Sequence, residues 1–144
     1  MGKFSQGEFI PKNPQKIAST AKIIFRSSWE HYFMTFLDSD PRVIQWASEP
    51  FHISYVNPLT GKNSQYIPDF LVMYMDKNGK KHAELIEIKP KKEAILEQAK
   101  SRRDRGVQLI NFAKWAAAMA FCKKHSITFR VLTEDNLWSS KGRK

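Results

Sequence analysis

A chain of 144 residues is the size of one domain and can bury an ordinary core, and 42% hydrophobic with 26% charged residues is a soluble globular composition, neither fibrous nor disordered. The single cysteine, Cys122, excludes an internal disulfide and a cysteine-based zinc site, so a reducing cytosol is expected. With 24 Lys and Arg against 14 Asp and Glu, the net charge of +10 points to a polyanionic partner.

Residues 1–21 are polar, include Gly2, Gly7, Pro11 and Pro14, and show no period, so they read as an N-terminal arm ordered against a partner. Residues 22–144 are then a single domain. Met1-Gly2-Lys3-Phe4-Ser5 lacks the apolar stretch of a secretory signal, and no apolar run approaches a membrane span, so no membrane role is expected. Lys22 to Arg26 predicts a short strand. Ser27 or Ser28 then caps a helix through about Leu37, in which Trp29, Phe33, Phe36 and Leu37 recur at helical spacing as a buried stripe. Glu30 falls on the flank of that stripe, a position that suits either a first-turn dipole partner or an acid directed along the domain. Asp40-Pro41 predicts the start of a short helix through Trp46, and Pro50 breaks the chain again. Phe51 to Val56 alternates as a strand, and Asn57 to Asn63 is a turn-rich loop.

From Ile67 to Lys89 the pattern is strand, turn, strand, with Asn78-Gly79 at the turn. Together with residues 51–56 it predicts a three-stranded antiparallel meander. Alternation places Asp69 with Ile67, Leu71 and Met73, and Glu87 and Lys89 with Leu85. Charged groups among such neighbours are costly unless they pair or bind a cation. A hard divalent ion such as Mg²⁺, held by Asp69, Glu87 and the Ile88 carbonyl, resolves that cost and could activate a water against a phosphodiester, with Lys89 orienting the nucleophile or stabilising negative charge. The plain alternative is an edge-strand proline, Pro68, followed by a solvated salt bridge.

Pro90 stops the ladder, Lys91 to Arg105 predicts a helix closed by Gly106, and Val107 to Lys124 a second helix, apolar on most sides and packed under the sheet. Cys122 in that run reads as core. Ile127 to Leu132 is a strand that can return parallel to an earlier one, and Thr133-Glu134-Asp135 caps a final turn with Leu137 and Trp138. The fold class is therefore α/β, a mixed β-sheet with an antiparallel meander flanked by helices. Lys91 and Lys92 adjoin the acidic hairpin end, Lys100, Arg102, Arg103 and Arg105 follow on the next helix, and Lys141, Arg143 and Lys144 form a tail. Such runs are ordinarily solvated faces and can also suit a membrane surface or an acidic protein, but beside a phosphodiester-cleaving site nucleic acid is favoured. His31, His52, His82 and His125 are scattered and suggest no zinc site.

Pro68-Asp69 followed by Glu87-Ile88-Lys89 resembles the PD-(D/E)xK nuclease signature, and Arg26-Ser27-Ser28-Trp29-Glu30 resembles the N-terminal helix of its TnsA-like branch. The resemblance implies a restriction-endonuclease-like core with Glu30, Asp69, Glu87 and Lys89 catalytic, Mg²⁺ or Mn²⁺ held by Glu30, Asp69, Glu87 and the Ile88 carbonyl, and double-stranded DNA as substrate. Some such enzymes carry Gln where this chain has Glu87. Asn13-Pro14, Tyr66-Ile67-Pro68-Asp69-Phe70, Glu87-Ile88-Lys89-Pro90, Phe121-Cys122-Lys123-Lys124 and Phe129 to Glu134 extend the resemblance to the head completion nucleases of T4-like tailed phages. That implies an endonuclease acting in head completion after DNA packaging, in the host cytoplasm and in association with the virion, with head or portal and neck proteins as partners. A TnsA-like transposon end-cleaving nuclease and a non-catalytic DNA-binding connector are the competing readings.

Overall fold

The computed structural model describes residues 6–19, 21–91 and 101–136. In chain order these form β1 (Gly7–Glu8), a 3₁₀ turn (Pro14–Lys16), β2 (Ile24–Phe25), α1 (Ser28–Ser39), β3 (Val43–Ser48), β4 (Ile53–Val56), β5 (Asn63–Tyr66), β6 (Phe70–Met75), β7 (Lys81–Ile88), α2 (Arg102–Lys124) and β8 (Thr128–Leu132). Lys92, Lys100, Leu137, Trp138 and the basic tail of Lys141, Arg143 and Lys144 lie outside the described residues.

The β6–β7 hairpin forms around the turn that its sequence requires. Asp76 Oδ1 accepts the N–H groups of Asn78 and Lys80, and Gly79 takes a φ of 81°, a left-handed conformation that side chains disfavour. The hairpin is the centre of a mixed sheet of order β3-β6-β7-β8, in which β8 returns parallel to β7 after α2. This is the expected α/β architecture. α1 lays Phe33, Met34 and Leu37 on one face of the sheet, against Phe70, Val72, Ile86 and Ile88. On the other face Trp115, Ala118 and Cys122 of α2 join Ile53 and Tyr66 over Leu85. Alternate residues of β7 are thus buried on opposite faces, and Glu87, like Leu85, points toward α2.

Three predicted elements differ. Residues 41–46 are a turn and strand β3, not a helix. Asp40 Oδ1 accepts the Arg42 N–H at 2.8 Å, the same bond an N-cap would make, but here it opens a turn and Val43 to Ser48 pair antiparallel with β6. A six-residue segment of mixed apolar and polar residues cannot be assigned by period alone, and the vacant edge of β6 decides it. The meander is also composed differently. β4 folds back on β5 through a turn in which Gly61 donates to the Asn57 carbonyl at 2.7 Å, so β4 and β5 form a separate two-stranded sheet and the strand beside β6 is β3. Finally, Gly106 does not end a helix: α2 runs through it from Arg102 to Lys124. Its start is set by Ser101, whose hydroxyl accepts the Asp104 N–H, and an interior glycine costs only about 1 kcal/mol against the packing of so long a helix.

The N-terminal arm packs on the body of its own domain. Phe9 is buried in the α1-side core, and Gly7–Glu8 pair with Ile24–Phe25. The last turn of α1 holds no cation of its own, and Lys16 Nζ supplies one by donating to the carbonyls of Leu37, Asp38 and Asp40. The buried Asp38 carboxylate reciprocates by accepting the N–H groups of Lys12 and Asn13 at 2.9 and 3.0 Å. Asp38→Ala leaves both donors unsatisfied and should cost about 2–4 kcal/mol in urea unfolding, with Asp38→Asn intermediate because one carbonyl oxygen remains.

Candidate active site

β6 pairs with β7 so that Leu71 faces Leu85, and the same register carried two residues outward sets Asp69 against Glu87. Asp69 itself stands outside the ladder. Pro68 is fully buried and has no N–H to give, so β6 begins only at Phe70. Asp69 is fixed instead by its side chain, whose Oδ2 accepts the Ile88 N–H at 2.8 Å, and by its carbonyl, which accepts the Glu49 N–H at 2.8 Å. Glu87 is 5% exposed. Its Oε1 accepts the Tyr66 hydroxyl at 2.7 Å, and Lys89 Nζ lies 3.6 Å from Oε2.

The structure therefore brings together Asp69, Glu87, Ile88 and Lys89. Glu30 is held a little apart: Ser27 Oγ accepts the Glu30 N–H while Glu30 Oε1 accepts the Arg26 N–H, a reciprocal cap that opens α1. Its charge is still felt at Asp69. Among the described residues no three His, Cys, Asp or Glu side chains converge closely enough to ligate one ion as they stand.

Residues 40–134 match the family described as TnsA-like endonuclease N terminal. The chain belongs to this family. The matched segment includes Asp69, Glu87 and Lys89 and begins after Glu30. The chain is also similar to the head completion nuclease of Enterobacteria phage T4, 37% identical over 142 residues that span 91% of this chain and 92% of that protein.

In this TnsA-like endonuclease the electrostatics of the acidic pair are set by burial. Asp69 is pushed well above the usual carboxylate range, first by desolvation and then by the charge of Glu87, against the opposing Ile88 N–H. Glu87 is also raised by burial, although Lys89, the Tyr66 hydroxyl and Lys114 favour its charged form. A half-buried and a buried carboxyl that resist ionisation side by side are a site short of positive charge. An all-oxygen donor set with that deficit fits a hard divalent cation.

Arg102, Arg103 and Arg105 are exposed at the start of α2, where cations oppose the helix dipole, so helix stability does not explain them. Lys91 is tied down, its Nζ 2.8 Å from Asp135 and its N–H donated to Glu134. A cavity of about 280 Å³ lies across the sheet, between α1 and a wall of Tyr74, Glu84 and Arg130, and none of the acidic pair lines it.

Sequence reasoning missed Tyr66, Lys114, Gln108 and Asn111. The apolar side chains taken for core on the second helix include Leu109, Phe112 and Met119, all exposed, whereas Gln108 and Asn111 are buried. The signal was present in the spacing: Gln108, Asn111, Trp115, Ala118 and Cys122 recur at three and four residues, an inward stripe whose first two members are polar. Nδ2 of Asn111 has no partner among the described residues.

A carboxyl raised in the folded state binds a proton that the unfolded chain has already released, so metal-free stability should fall as pH rises from the ordinary carboxylate range through the raised values of Asp69 and Glu87. Asp69→Asn keeps an acceptor for Ile88 and removes the larger charge conflict. Urea unfolding in EDTA should find that variant more stable at neutral pH by about 1 kcal/mol and its pH dependence flattened.

Proposed function

We propose that this TnsA-like endonuclease is a Mg²⁺- or Mn²⁺-dependent DNA endonuclease that acts in phage head completion after DNA packaging. One observation carries the catalytic reading: half-buried Asp69 and buried Glu87 stand side by side at the end of the β6–β7 hairpin with Lys89 3.6 Å from Glu87. The place in assembly is supported by similarity along most of the chain to a protein named for head completion. The net charge of +10 suits a DNA substrate.

Asp69, Glu87 and the Ile88 carbonyl would hold the ion, with Glu30 from α1 as a further carboxylate. When bound, the ion supplies a Lewis acid for a phosphoryl oxygen and lowers the pKa of a water. The chain's own residues do the rest. Tyr66 and the Ile88 N–H hold the two carboxylates in one orientation each, so little reorganisation is left for the reaction. Lys89, partly exposed at the strand end, orients the attacking water or stabilises the charge that develops on the phosphorus oxygens. Arg102, Arg103 and Arg105, together with Lys91, Lys92 and Lys100, draw the duplex in through phosphate contacts.

Supercoiled plasmid should be nicked or linearised with Mg²⁺ or Mn²⁺ and left intact in EDTA. Asp69→Asn, Glu87→Gln and Lys89→Met should each slow cleavage by on the order of 10²- to 10³-fold without loss of fold. Wild-type rates in all three would remove the site. Separately, Glu30→Gln should weaken Mn²⁺ binding in calorimetry, whereas a residue that only caps α1 would lower stability and leave metal affinity unchanged.

A further inference from the structure

Lys114 projects from α2 onto the same face of the sheet as Glu87. Its Nζ lies 5.7 Å from the centroid of the Tyr66 ring and 6.0 Å from that of Tyr55, between strands β4 and β5 and the helix. The Tyr66 hydroxyl in turn donates to Glu87 Oε1 at 2.7 Å, so the chain Lys114, Tyr66, Glu87 leads directly to the acidic pair. Lys89 stands at the other oxygen of the same carboxylate. Two ammonium groups therefore act on Glu87, Lys89 in contact at the strand end and Lys114 through its charge from the helix. Two tyrosine faces fix the position of the second by cation–π contact. A methionine or leucine would fill the space between the rings without desolvating a charge, so packing alone does not account for a lysine.

We infer that Lys114 is a DNA-binding residue of the active site, taking a backbone phosphate beside the one that is cleaved. The inference rests on the proposed nuclease function and deepens it: the strand supplies the lysine for the reacting phosphate, and the helix supplies the lysine that sets the register of the neighbouring one. A duplex lying over Asp69 and Glu87 presents its next phosphate within the reach of a lysine side chain, and an ammonium already placed by the two tyrosine rings loses little freedom on binding it. The same group offsets the charge of Glu87 before substrate arrives.

The test uses the full chain with Lys114→Met, Lys114→Gln and Lys114→Arg. Binding of a short fluorescent duplex in EDTA, across a salt series, should show the slope of log affinity against log salt reduced by about one in the Met and Gln variants and retained in Arg. Single-turnover cleavage of the same duplex with Mg²⁺ should fall about tenfold in Met and Gln and largely recover in Arg, while Mn²⁺ affinity is not weakened. An unchanged slope and rate in both neutral variants would overturn the inference. So would an unchanged slope with weakened Mn²⁺ binding, which would make Lys114 only a counter-ion of Glu87. If Met disturbs the packing of the tyrosines, Gln keeps a polar head there and decides the question. Failure of wild type to cleave would remove the nuclease reading, and the salt slope would still report on Lys114.

Discussion

The carboxylate of Asp69 is held by the N–H of Ile88, 19 residues along the chain on the neighbouring strand, and the geometry of the whole site follows from that bond. The ladder stops at Phe70, short of Pro68, which has no N–H to give, and the Asp69 side chain accepts the Ile88 N–H in place of a further ladder carbonyl. Because β6 and β7 are joined by a tight turn, their register is not adjustable. A slip of one residue would turn Glu87 to the α1 face and Ile86 or Ile88 toward α2, exchanging a carboxylate for an aliphatic on both sides of a buried strand. Register, turn and site are therefore one constraint. The left-handed Gly79 at the far end of the hairpin is part of the machinery that aligns acids at the near end.

The two faces of the sheet carry different tasks. On the α1 face the core is continuous and aromatic, with Phe9, Phe33, Trp46 and Phe70 in edge and tilted contacts, and the arm is bound to it through Asp38 and Lys16. Glu84 there accepts from Tyr74 and Arg130, and the Tyr74 pKa is pushed up to about 12 by that bond and by burial. The α2 face holds half-buried Asp69 and buried Glu87, a helix stripe that begins with Gln108 and Asn111, and an amide nitrogen without an acceptor among the described residues. The larger aromatic core thus lies on one side of the sheet and the acidic pair on the other, so the site can be reactive without breaking into that core.

Charge is distributed to the same end. The chain is strongly basic overall, and the lysines beside the acidic pair come from two elements: Lys89 just past the end of β7, and Lys114 from α2. A polyanion approaching this end meets positive charge around a small acidic centre, the arrangement that attracts phosphate while reserving a place for a cation.

The sequence by itself determined the hairpin, its turn, the placement of Asp69, Glu87 and Lys89 at its end, the capped first helix, and the parallel return of the last strand. Those features rest on local chemistry: a glycine for a left-handed turn, a serine for a cap, a proline to end a ladder, and a two-residue alternation. Tertiary structure decided the rest. Val43 to Ser48 became a strand because β6 had an edge to fill, and residues 53–56 left that edge because a shorter turn returned them to 63–66. Gly106 stayed helical because local propensity is weak against the packing of a long helix. Tyr66 and Lys114 could not be named in advance, since what assigns them is contact with groups on other elements, and no periodicity within one segment records which partner segment it will meet.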